Sequence, residues 1–157
     1  MTSPAPTNVV AYPEGTDCEW FACDADGCVA AFTTAGNGPI PTALLRGSGL
    51  NDFVRRLPER GAATLLVSLP RPDDFLHFAS RGLFAYDWKQ ARGHGGLDGR
   101  YEMLARPQRP LHLADLPEPM QPLLRGLTLP GVRFADTRSV DVRRSLDCEP
   151  KAWPPPA

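Results

Sequence analysis

The chain has 157 residues, of which 42% are apolar and 22% charged, with a formal net charge of −1. This is the size of one domain, and the composition lies outside the low-hydrophobicity, high-charge regime that keeps chains unfolded. No window approaches the roughly 20 apolar residues of a membrane span, and the start, Met1-Thr-Ser-Pro-Ala-Pro6, lacks a secretory signal, so a cytoplasmic location is expected.

Residues 1–16 contain Pro4, Pro6, Pro13 and Gly15 and read as an irregular N-terminal arm. Residues 20–24 and 28–34 are short β-rich runs. The Asp24-Ala-Asp-Gly27 between them suits a type I turn with Gly27 in the left-handed position, which makes a hairpin. Both of its faces are apolar, which predicts a sheet covered on both sides. Two glycines and two prolines make 36–41 an irregular loop, and 41–45 can begin a short helix with Pro41 in its first turn. Asn51 is a candidate cap for a helix over 52–57, with Phe53, Val54 and Leu57 on one stripe. Residues 64–69 read as a buried strand.

Acids at the start, Arg81 at the end and Gly82 beyond predict a helix over 72–81. Residues 83–88 and 101–106 read as an antiparallel strand pair around a glycine-rich connection at 93–99. A further helix is expected within 113–124, capped by Asp115 with Pro117 in its first turn, and last strands over 132–136 and 139–142. The order lacks strict strand–helix alternation. It predicts one α+β domain over 17–148 with a mostly antiparallel sheet and three to four helices, followed by a Pro-rich tail at 149–157 in which Trp153 packs back on the body.

The cysteines are the first candidates for chemistry. Cys18, Cys23 and Cys28 are five apart and Cys148 is remote, which does not match the close ligand pairs of structural zinc. In the hairpin register Cys23 lies opposite Val29, so Cys23 and Cys28 point to opposite faces and act as small buried hydrophobes. Asp24 and Asp26 resemble the start of a calcium loop, but the later oxygen ligands are missing. The glycines of 36–38 and 46–49 match no phosphate-binding fingerprint and read as tight turns. Of His77, His94 and His112, His77 suits a packed or rim position, and His94 in its glycine loop is the best of three weak acid–base candidates. No catalytic residue, metal ligand or cofactor is assigned.

The charge is uneven. Glu14, Asp17, Glu19, Asp24 and Asp26 precede the first basic residue, Arg46, so residues 1–45 carry −5 and the remainder, with 17 basic and 13 acidic residues, +4. Opposite signs predict parts that attract one another and argue against a nucleic-acid footprint. These five acids are the expected partner-binding residues.

The stretch Trp20-Phe-Ala-x-Asp-x-x-Gly-x-Val-Ala-x-Phe-x-Thr-x-Gly-x-Gly-Pro-Ile-Pro41 resembles the signature of a family of small bacterial cytosolic proteins. Weaker similarity continues in Arg81-Gly-Leu-Phe84 and Gly131-Val-Arg-Phe-Ala-Asp136. Similar small proteins include immunity partners of toxins, so the resemblance implies a protein-interaction role, an immunity-type inhibitor with a cognate toxin as partner. The alternative expectation is a small enzyme or ligand-binding domain with a pocket near the 36–41 and 93–99 loops.

Overall fold

The computed structural model describes residues 11–47, 49–90 and 99–149. Glu19–Asp24 (β1) and Val29–Thr33 (β2) form the expected hairpin, antiparallel, with Cys23 opposite Val29. The chain then runs through Ile40–Pro41 (β3), a 3-10 turn at Thr42–Leu44, Leu50–Arg55 (α1), Ala63–Leu65 (β4) and Asp73–Ser80 (α2). Phe84–Gln90 (β5), Gly99–Pro107 (β6), Gln121–Arg125 (α3), Thr128–Leu129 (β7), Ser139–Val140 (β8) and Cys148–Glu149 (β9) complete it. One sheet has the order β4-β6-β5-β2-β1-β7 with β8 also on β6, and β3 pairs β9 in a small second sheet.

The fold is α+β, but the sheet is mixed where a mostly antiparallel one was expected. β2 and β5 run parallel, as do β1 and β7. The connection from β2 to β5 contains α1, β4 and α2, a crossover long enough to return the chain to the same end of the sheet.

Cross-strand register explains the two layers. The row Trp20, Phe32, Tyr86, Met103 lies on one face and the neighbouring row Phe21, Ala31, Ala85, Ala105 on the other. The β3–β9 pair, with Ile40 and Cys148, and 3-10 turns carrying Phe134 and Val142 cover the aromatic face. Helices cover the small-residue face, with α2 over β4, β5 and β6 and α1 and α3 against β1. The α2 stripe buries Phe78 and Ala79, with Phe75 packed alongside.

Several expected elements are corrected. Asn51 lies inside α1 and the cap position is Gly49, at φ +74, because the helix starts early enough to bury Leu50. β4 is a short, half-exposed edge strand, not a buried one. The helix expected within 113–124 is broken into 3-10 turns at Leu113–Asp115 and Glu118–Met120 and then α3. Its first cap is His112, whose Nδ1 accepts from the Ala114 amide while Asp115 reaches back to the His112 amide. Residues 134–136 form a 3-10 turn rather than a strand, because the Asp24 carboxylate takes the Phe134 amide. The tail beyond residue 149, Trp153 included, lies outside the described residues.

Candidate functional site

The signature stretch is a set of structural fittings. Asp24 is only 2% exposed. Its Oδ1 accepts from the Asp26 and Cys28 amides, closing the turn, and its Oδ2 accepts from the Phe134 amide at 2.8 Å, tying the hairpin to a segment 110 residues away. Gly27 has φ +86, and a Cβ there would meet the His112 ring at 2.4 Å. Thr34 Oγ1 accepts from the Cys18 and Gly36 amides. Tyr101 Oη accepts from Trp20 Nε1 at 3.1 Å and donates to the Pro39 carbonyl at 2.8 Å. A Cβ on Gly38 would stand 2.5 Å from that same hydroxyl. Each of these positions therefore has a folding reason.

The cysteines behave as fillers. Cys23 packs among the residues under the helices and Cys28 against the aromatic cluster, so their thiols face opposite sides of the sheet. Burial first, and neighbouring carboxylates second, push Cys23 and Cys148 up to about 12 and Cys28 up to about 11. Cys18 is raised by the same two causes, with Asp17 and Glu19 as its neighbours. A protonated thiol is a poor nucleophile and a poor metal ligand. Among the described residues no three His, Cys, Asp or Glu side chains come together as a potential ion site.

His77 sits on a rim, half-buried and edge-on to Phe78 at 6.1 Å, with its pKa lowered by burial and then by Arg81. His112 is engaged at both ring nitrogens, by the Ala114 amide and the Asp26 carbonyl. His94 lies outside the described residues. The 36–38 amides are spent on Thr34: Gly36 on its hydroxyl, Asn37 and Gly38 on its carbonyl. They form no anion cradle.

The five acids of the N-terminal third do not form one patch. Asp24 is removed from the surface by its three amide donors, a correction to its expected partner-binding role. Asp26 pairs with Arg133 at 3.5 Å, and Glu19 with Arg55 at 3.3 Å. The uneven charge along the chain is thus partly folded into intramolecular attraction. Glu14 and Asp17 are exposed, and Asp17 Oδ1 accepts from the Ala35 amide at 2.9 Å.

Among the described residues a cleft of about 540 Å³ lies beside the N-terminal end of β1, between residues 13–20, the 40–47 segment and α1. Trp20, Ile40, Leu44 and Leu45 give it an apolar lining. Asp17, Glu19, Asp52 and Arg55 line it too, and Cys18 lies between the first two. The charge pattern of the sequence points to Asp17 and Glu19 but not to Asp52 and Arg55, since only the crossover brings α1 beside β1. The pocket expected near the 36–41 and 93–99 loops is represented here by Ile40 alone; 93–98 lie outside the described residues. No family model matches the chain, and neither curated proteins nor solved structures provide a match.

Proposed function

We propose that the protein is an interaction domain, an immunity-type inhibitor of a toxin, and that the cleft at the N-terminal end of β1 is its contact surface. The observation that carries the reading is the lining of that cleft, in which the carboxylates of Asp17, Glu19 and Asp52 stand together with the apolar side chains of Trp20, Ile40, Leu44 and Leu45. Interfaces combine an apolar centre with a polar rim, and charge complementarity raises association rate and selects partners. The immunity assignment draws its support from the resemblance of the hairpin signature.

Affinity capture of the tagged full chain from its native host, mass spectrometry, and reassembly from purified components test this. A 1:1 complex is expected, with growth rescue when both genes are expressed together. Recovery free of any stoichiometric protein across growth conditions overturns it.

A second reading uses the same cleft for a small molecule, and the volume favours it, since ligand pockets run to about 300–1,000 Å³. Mass spectrometry under native conditions separates the two, because a small ligand adds a discrete mass to the monomer.

A further inference from the structure

The charge and shape of the cleft narrow the chemistry of its occupant, an inference that rests on the interaction reading above. The lining holds three carboxylates, Asp17, Glu19 and Asp52, against one guanidinium, Arg55, a formal sum of −2. Glu19 is already paired with Arg55, which leaves Asp17 and Asp52 as the attracting groups. The Ala35 amide holds Asp17 Oδ1 in place, and the residue is exposed. Asp52, in the first turn of α1, makes no ion pair among the described residues. Trp20, Ile40, Leu44 and Leu45 share the lining with them, and the Trp20 indole N–H is spent on Tyr101, so it offers no donor to a ligand.

An anion is repelled by such a site. A purely apolar group leaves the carboxylates desolvated and unpaired, which costs free energy. A cation on an aliphatic stem satisfies both kinds of lining, because lysine and arginine lay their methylenes on apolar surface and keep the charged head with polar partners. The concavity also continues. The Glu19–Arg55 pair lines a second hollow of about 320 Å³ with Asp74, His77 and Phe78. Two adjoining hollows that share one ion pair suit an extended chain better than a compact small cation.

We infer that the cleft receives an arginine or lysine side chain from an extended basic-apolar segment of the partner polypeptide, which runs on across the Glu19–Arg55 pair into the second hollow. The test is a titration of the isotope-labelled full chain, followed by NMR, with a capped decapeptide of alternating Leu and Arg. The same peptide with Glu for Arg, and N-acetylarginine amide, serve as controls. Saturable shifts are expected at residues 17–20, 44–55 and 74–78, with at least tenfold weaker binding to the Asp17→Asn/Asp52→Asn double variant. Both side chains are exposed, and the carboxamide oxygen introduced at position 17 still accepts from the Ala35 amide, so an unchanged Tm is expected of that variant.

No saturable shifts, shifts elsewhere on the surface, equal binding by the Glu peptide, or an unweakened double variant overturns the inference. Equal affinity and equal shifts from N-acetylarginine amide overturn the polypeptide assignment in favour of a free cation. If the double variant instead keeps full affinity for the partner recovered by affinity capture, this inference falls while the interaction reading stands. If the peptide behaves as expected and no protein partner exists, the interaction reading falls and takes with it the assignment of the segment to a partner, while the cleft's selectivity for a basic-apolar chain stands.

Discussion

The two faces of the sheet solve the same burial problem with opposite materials. Under the helices the row Ala31, Ala85, Ala105 is short, so α2 lies close and Phe78 supplies the bulk from the helix side. On the other face the cover is the β3–β9 pair with loops and 3-10 turns, and the sheet supplies the bulk together with polar partners for some of the carbonyls the cover leaves open. Trp20 stacks on Phe32 at 4.3 Å and Phe32 on Tyr86 at 5.1 Å. Hydroxyls from that layer then hold the cover, with Tyr101 donating to the Pro39 carbonyl and Tyr86 to that of Thr137. Helices bring their hydrogen bonds with them, whereas this cover takes two of its bonds from the surface it lies on.

The sharpest way to break the contrast is Asp24→Ala. It strands the buried Phe134 amide, worth about 1–3 kcal/mol, and two turn bonds worth about 0.5–1.5 kcal/mol each, so a loss of about 2–6 kcal/mol is expected in urea unfolding. On the helical face Ala85→Leu overfills the row beneath α2, with an expected loss of about 1–3 kcal/mol measured the same way. Retained stability there would show that the helices are not closely seated.

Tyr101→Phe keeps the ring but leaves the Trp20 indole N–H and the Pro39 carbonyl unpaired, for about 1–2 kcal/mol. A urea midpoint equal to that of the unaltered chain would show that the hydroxyl does not hold the loop cover to the sheet.

A further effect is alkaline. Cys23 and Cys148 keep their protons to about 12 in the folded protein, against an ordinary 9.0. The folded state therefore binds more protons between those values, and stability falls as pH rises past 9. Urea midpoints at pH 7.5 and 10 check the sign. Thiol-reagent kinetics at pH 8 are expected to show slow native reaction, with Cys18 and Cys28 ahead of the two buried thiols.

Much of the frame was legible in order along the chain. Asp24, Gly27 and the apolar runs beside them specified the hairpin and its register, and the acids before Phe75 with Gly82 after Arg81 bounded α2. The expected acidic surface was only partly legible. Sequence cannot tell Asp17, which stays exposed, from Asp24, whose oxygens are consumed by backbone amides, because that outcome depends on Phe134 arriving 110 positions later. Asp52 and Arg55 carried no signal at all, being ordinary residues of a short amphipathic helix.

The features written along the chain are local: turns made by glycine and aspartate, apolar runs that bury both faces of the hairpin, and helix limits marked by charge and glycine. These depend on neighbours within a few residues, so their physical cause is written where they stand. Long-range folding sets which strands run parallel, which row of side chains meets helices and which meets the β3–β9 pair and loops, and that a cleft forms where α1 comes alongside β1. Those follow from the path of a long crossover and from amides captured across the chain, and no short stretch of residues encodes either.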